Sequence, residues 1–254
     1  MNGQPLLQVQ EVTKRYQTST GQAIQALGGV SFEVAQNEFL SIVGPSGCGK
    51  STLLKMISGV TRASGGAIRI RGSLIASQHR RMMGMVFQQA SLLPWRDVLG
   101  NVLLPCEILR MEHAKARQEA LALLELVGLA GFERRKPWEL SGGMQQRVGL
   151  CRALVTDPEL LLMDEPFAAL DALTRDQLAA ELLRIWSVRR KTVLFVTHNI
   201  AEAVLLSDRV LVMSNRPGRV LDIQTIDLPR PRTLDSTYLP PFQEYVRTIR
   251  ARLA

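Results

Sequence analysis

Gly44-Pro45-Ser46-Gly47-Cys48-Gly49-Lys50-Ser51-Thr52 decides the fold of this 254-residue chain. The stretch fits G-x-x-x-x-G-K-[ST]. It follows the apolar run Phe39-Leu40-Ser41-Ile42-Val43 and opens into the helical pattern Leu53-Leu54-Lys55-Met56-Ile57. Strand, Gly-rich turn and helix N-terminus in that order make a phosphate cradle. The glycines let backbone N–H groups curl around a polyphosphate without Cβ clashes, and the helix start favours negative charge. Lys50 adds a point charge near the β- and γ-phosphates, and the Ser51 hydroxyl is a ligand for Mg²⁺. A plain Gly-rich turn leaves the Lys50-Ser51 pair unexplained. The stretch implies binding of ATP or GTP.

A second segment narrows the chemistry. Leu160-Leu161-Leu162-Met163-Asp164-Glu165-Pro166 reads as a buried parallel strand ending in two carboxylates. Ligand-facing residues belong at the carboxyl ends of such strands. There Asp164 is placed to hold Mg²⁺ and Glu165 to orient and deprotonate an attacking water. The pair suits hydrolysis better than transfer to a bound acceptor. A solvated loop is the weaker reading, because a Pro follows an apolar run.

The third segment discriminates. Leu140-Ser141-Gly142-Gly143-Met144-Gln145-Gln146-Arg147 precedes the apolar pattern from Val148 to Leu154. Ser141 reads as an N-cap followed by two glycines, so a second helix start exposes N–H groups to an anion. At these residues the chain resembles the ATP-binding-cassette (ABC) ATPases, whose signature sequence they match. The resemblance implies a head-to-tail homodimer or pseudo-dimer in which Ser141, Gly142, Gly143 and Gln145 of one subunit close over ATP held by residues 44–52 of the other. It also gives roles to Gln88, which senses Mg²⁺ and the lytic water, to Asp171 in a loop crossing the interface, to the switch His198, and to Tyr16, stacked on adenine. Each residue has an ordinary alternative: Gln88 a strand end, Asp171 a helix cap, His198 a satisfied polar group, Tyr16 part of the core. Asn199 departs from the Asp that many relatives carry after the His, which puts nothing catalytic in doubt.

The implied fold class is α/β: a P-loop NTPase (ABC ATPase) core with a mixed sheet, an N-terminal antiparallel β part and an inserted α-helical subdomain. Strand patterns cover residues 6–12, 30–34, 39–43 and 67–70, then 160–164, 192–197 and 209–214. Helical patterns cover 98–111, 114–127, 141–155 and 175–188, with a closing helix over 242–252. The chain reads as a single domain over 1–254. Residues 1–88 and 158–228 form the RecA-like core with its β subdomain, about 89–157 the helical signature subdomain, and 229–254 a C-terminal tail.

Composition is compatible without being decisive. Apolar residues make up 46% of the chain, enough for one α/β core. No run reaches the roughly 18 apolar residues that span a bilayer, and the start lacks a signal-peptide pattern. The cysteines at 48, 106 and 151 are too scattered for a disulfide framework. Cys48 reads either as a small filler or as a reactive thiol. The net charge of +8 would suit an anionic membrane surface or nucleic acid. With aromatic residues at 5%, base stacking has little support, so no nucleic-acid partner is expected. Arg230, Arg232, Arg247, Arg250 and Arg252 read as a basic, solvated tail.

Two segments resemble the importer branch that serves nitrate, sulfonates, taurine and bicarbonate: Leu93-Pro94-Trp95 after Gln88, and Arg216-Pro217-Gly218-Arg219 in a turn of the final hairpin. Leu92, Leu93 and Trp95 form an apolar loop suited to receiving a partner's helix, or else Trp95 packs into the helical subdomain. The resemblance implies an ATP- and Mg²⁺-dependent ATPase on the cytoplasmic face of the inner membrane. It would work with transmembrane permease subunits and, indirectly, a periplasmic substrate-binding protein. The short stretch after Asp227 leads to no expected regulatory domain. The alternative is a soluble ABC-type ATPase acting on nucleic acid or ribosomes. A nucleotide kinase would lack residues 140–147.

Overall fold

The computed structural model describes residues 4–17 and 23–253; the first three residues, part of the stretch read as carrying no signal peptide, lie outside them. The chain divides into two compact units. One comprises Met1–Arg80 and Lys191–Ala254, the other Arg81–Arg190.

In the first unit, β1 (Leu7–Gln17) lies antiparallel between β2 (Ala23–Val34) and β4 (Gly65–Ile70), with the short β5 (Ser73–Leu74) outside β4. The alternation that makes one face of this sheet apolar is visible in β1, where Leu7, Val9 and Val12 are buried. A second sheet has β3 (Phe39–Val43) in parallel between β8 (Thr192–Val196) and β9 (Arg209–Met213), and β10 (Val220–Thr225) returns antiparallel to β9. Every residue of β3 and β8 is buried, as expected for strands covered on both faces. Three helices complete the unit: α1 (Lys50–Ile57), α6 (Ile200–Leu206) and α7 (Pro240–Leu253).

The C-terminal stretch is not a solvated tail. Helix α7 buries Phe242, Val246 and Ile249, spaced to form one stripe. Arg232 is 5% exposed. Its guanidinium donates to the carbonyls of Val204 (2.8 Å) and Ser207 (2.6 Å), and to those of Ile226 (3.0 Å) and Leu228 (3.1 Å). Two of these belong to the end of α6, where carbonyls lack intrahelical partners, so one side chain ties α6 to the chain leaving β10. Burial, and then the neighbouring Arg230 charge, push the Arg232 pKa down to about 10. Arg230 itself pairs with Asp208 at 2.8 Å.

In the second unit, β6 (Met83–Val86) runs parallel to β7 (Leu160–Asp164), with Val86 opposite Met163. Helices α2 (Val98–Ile108), α3 (His113–Leu126), α4 (Gly142–Leu154) and α5 (Ala172–Val188) make up the rest. Gly84 on β6 lies so close to α4 that a Cβ there would sit 2.2 Å from the Ala153 carbonyl oxygen. Among the described residues no helix is long and apolar enough to cross a membrane.

Arg232→Ala should lower unfolding stability by about 2–4 kcal/mol, since it strands several buried carbonyls at once. Urea denaturation of the purified protein checks this.

Candidate functional site

The phosphate loop leaves the carboxyl end of β3 and ends at Gly49, which precedes α1 with φ 110° and ψ 9°. A non-glycine residue would be strained there, and a Cβ would also lie 2.7 Å from Leu27 Cδ2. Gly49 gives α1 no side-chain cap, and the positive end of the helix opens directly onto the loop. Lys50 is 4% exposed, and its ammonium donates to the carbonyls of Gly44 (2.8 Å) and Pro45 (3.0 Å). The charge is therefore held on the loop itself. Ser51 and Thr52 follow in the first turn, Pro45 is half-buried, and Ser46 and Gly47 are exposed. Cys48 is 1% exposed with its sulfur beneath Gly44, which makes it a filler.

His198 belongs to the same unit. It is exposed just beyond β8, and the Thr197 N–H donates to the Ile42 carbonyl (3.2 Å), so β8 and β3 end side by side. The backbone around His198 is braced: the Thr197 hydroxyl donates to Glu202 (2.6 Å), and the Asn199 N–H donates to the Thr197 hydroxyl (3.0 Å). The Asn199 side chain caps α6 by accepting from Ala201 N (2.9 Å) and Glu202 N (3.3 Å). An Asp would accept the same two bonds but could not make the third, in which Asn199 Nδ2 donates to Glu202 Oε1 at 3.2 Å. Tyr16 is an exposed residue of β1, with the Lys14 ammonium 4.9 Å from its ring centroid.

The remaining candidates lie in the second unit. Asp164 ends β7 and Glu165 follows with φ 45°, a left-handed backbone that a non-glycine residue holds only when its surroundings impose it. Gln88 follows β6, and the β6–β7 register brings it out beside Asp164 and Glu165 at neighbouring strand ends. The Phe87 carbonyl before it accepts from the buried Gln146 amide (2.9 Å).

The signature segment starts α4 as its spacing implies. The Ser141 hydroxyl accepts from Met144 N at 3.3 Å. Ser141 and Gly142 are exposed. Gly143 is buried where a Cβ would meet Thr174 Cγ2 at 2.6 Å. Asp171 caps α5, accepting from Thr174 N (3.0 Å) and the Thr174 hydroxyl (2.7 Å), and these bonds hold its carboxyl below the usual carboxylate range. Signature turn and Asp171 loop are thus neighbours. Gln145 points its amide nitrogen back to the Pro137 and Leu140 carbonyls (2.9 and 3.3 Å), bracing the turn from behind.

Trp95 is 70% exposed and so is not core. Its loop is nonetheless fixed. Buried Asn101 accepts from Leu93 N (2.7 Å) and donates to the carbonyls of Leu93, Arg96 and Asp97 (3.1, 3.2 and 2.9 Å). Arg96 pairs with Glu107 (2.8 Å), and Arg152 donates to the carbonyls of Ala90 (2.5 Å) and Ser91 (3.0 Å). Beside it lies a cavity of about 320 Å³ lined by Phe87, Leu93, Leu104, Pro105 and Ile108 among others. Sequence reasoning missed Asn101, a polar residue inside an apolar helical pattern, which was its one visible signal.

Residues 27–168 match the family described as ABC transporter. An uncharacterised ABC transporter ATP-binding protein of Methanocaldococcus jannaschii is 47% identical over 96% of this chain and 89% of its own. A taurine import ATP-binding protein of Rhizobium johnstonii is 44% identical over 98% and 96%. A bicarbonate transport ATP-binding protein of Synechococcus elongatus is 43% identical over 90% and 82%. A solved structure described as a dimeric post-hydrolysis state of an ATP-binding cassette bound to ADP and Pi covers 88% of this chain and 100% of its own, at 33% identity and a TM-score of 0.76.

Asn199→Asp keeps both capping acceptors but sets a second carboxylate against Glu202 in place of a hydrogen bond, so it should lower thermal stability, and Asn199→Ala, which also loses the cap, should cost about 1 kcal/mol. Differential scanning calorimetry of both variants checks the capping role.

Proposed function

The chain belongs to the ABC transporter family, and from that membership we propose that it is the ATP-binding and ATP-hydrolysing subunit of an importer for a small anion such as taurine, a sulfonate, nitrate or bicarbonate. The observation that carries the reading is the built phosphate loop, with the buried Lys50 ammonium held on loop carbonyls at the start of a helix that has no side-chain cap. Identities of 44% and 43% to proteins named for taurine import and bicarbonate transport support the substrate class. These relatives are named for import and not for nucleic acids or ribosomes.

In this reading residues 44–52 bind the ATP phosphates, with Lys50 neutralising β- and γ-oxygens. Tyr16 stacks on the base. Glu165 takes a proton from the attacking water, Gln88 orients that water, and His198 contacts the γ-phosphate. Two ATP molecules lie in a homodimer or pseudo-dimer, each also touched by Ser141, Gly142 and Gly143 of the other subunit, with Gln145 bracing that turn from behind and Asp171 at the interface. The dimeric form of the similar cassette supports this. Hard oxygen donors at Ser51, Gln88 and Asp164 fit Mg²⁺. Among the described residues no three His, Cys, Asp or Glu side chains could hold a metal together; such an ion would be shared with the phosphates, whose negative charge it neutralises.

The exposed Trp95 loop and the cavity beside it support docking of a permease helix there, next to Gln88. One element would then feel both nucleotide and permease, the minimum for coupling. The subunit would sit on the cytoplasmic face of the inner membrane, with the periplasmic binding protein reached only through the permease.

Glu165→Gln should keep ATP affinity and cut hydrolysis on the order of 10²-fold or more, and with ATP it should accumulate as a dimer in size-exclusion chromatography. Normal turnover would move the base elsewhere. Trp95→Ala should leave the melting temperature of the free subunit unchanged, since little burial is lost, while weakening its pull-down by the permease. Unchanged capture would remove Trp95 from the interface.

A further inference from the structure

The turn between β9 and β10 does more than join two strands. Arg216 is exposed, and its Nε and Nη2 atoms lie 3.3 and 3.0 Å from the Gly47 carbonyl oxygen in the phosphate loop. Two residues on, Gly218 donates its N–H to the Ala26 carbonyl (3.0 Å) and accepts from Gly28 N (2.9 Å). A Cβ on Gly218 would fall 2.1 Å from the Cys48 carbonyl oxygen. Two consecutive carbonyls of the loop, those of residues 47 and 48, therefore rest against one turn.

The consequence follows from peptide planarity. In a trans peptide the C=O of residue 47 and the N–H of residue 48 point in opposite directions in one plane. A guanidinium holding the Gly47 carbonyl on the outer side turns the Cys48 N–H to the inner side, where it faces the Pro45 carbonyl at 3.3 Å. That is a long bond, easily exchanged for a stronger acceptor. Gly47 has φ 75° and no side chain to restrict it, so the guanidinium adds to that long bond in holding this peptide against rotation.

We propose that Arg216 is a positioning residue for nucleotide binding: it fixes the 47–48 peptide so that the loop presents its N–H groups to phosphate before the ligand arrives. Gly218 permits the close approach that puts Arg216 in reach. The inference rests on residues 44–52 being the phosphate site. It assigns Arg216 no contact with ATP.

Calorimetric titration of the full-length subunit with ADP and ATP, beside steady-state ATPase kinetics, tests it. Arg216→Ala should weaken both nucleotides by a similar factor, about tenfold, and raise KM in the same proportion with kcat little changed. The melting temperature without nucleotide should stay near wild type, since the side chain is exposed. Arg216→Lys should restore only part, because a point charge cannot reproduce the two-atom hold. Unaltered ADP affinity in Arg216→Ala would overturn the proposal. So would a changed preference between ATP and GTP, which would mean contact with the base, or a fall in kcat alone. Lys50→Ala serves as the control: if it binds ADP like wild type, the phosphate-loop reading fails, whatever Arg216 does.

Discussion

Backbone packs directly on backbone around the phosphate loop, and side-chain volume is what the chain must keep out of it. At Gly49 an added Cβ would meet the Ala26 carbonyl at 3.1 Å and the Leu27 side chain at 2.7 Å, and at Gly218 it would meet the Cys48 carbonyl at 2.1 Å. Strand β2, the loop and the β9–β10 turn are consequently in register with one another, and a shift in one displaces the others. The central strand β3 anchors this cluster: it pairs in parallel with β8 and β9 on its two edges, and every one of its residues is buried. Interiors at close-packed density transmit such shifts in place of absorbing them.

The second unit solves a similar problem with polar side chains. Its loop from Gln88 to Arg96 buries little of its apolar surface, yet it is held by Asn101, Arg152, Gln146 and the Arg96–Glu107 pair. Each donor takes a backbone carbonyl or a carboxylate, so the loop's orphan groups are satisfied without a regular ladder. A segment built this way keeps one shape while leaving Trp95 in solvent. That combination suits a surface meant to meet another protein, because little ordering entropy is lost on docking.

Much of this was legible in the sequence, and the boundary is physical. Strands β3 and β7 run over the residues their apolar runs mark, since full burial leaves an unbroken signal. Strand β2 begins seven residues before its apolar part, because its first half is half-exposed and carries Gln25 and two glycines. The capping roles of Ser141 and Asp171 followed from local spacing. Arg232 did not: an Arg directly after a proline in a basic stretch reads as solvated, and only the tertiary fold shows that it meets carbonyls of residues 204 and 207. Gln145 was read as facing nucleotide, yet its amide braces the turn behind the signature, a direction that spacing alone does not give.

The candidate side chains share one property that bears on catalysis. Gln88, Ser141, Asp171 and His198 are all exposed in the single chain, although the backbone beneath each is tightly tied. Hydrolysis of a phosphoanhydride needs one ordered water and the exclusion of others, since charges aimed at the transition state act strongly only in a dry site. Exposed polar side chains alone cannot provide that enclosure. Rigid backbone with open side chains is what a half-site looks like before a complementary surface covers it. A second copy supplies such a surface at no cost in new sequence, because an exposed Ser141 turn and a phosphate loop are both present in every chain. This is the physical support for the proposed dimer, and it makes the closing of two subunits, more than any single residue, the step that sets when ATP is cleaved.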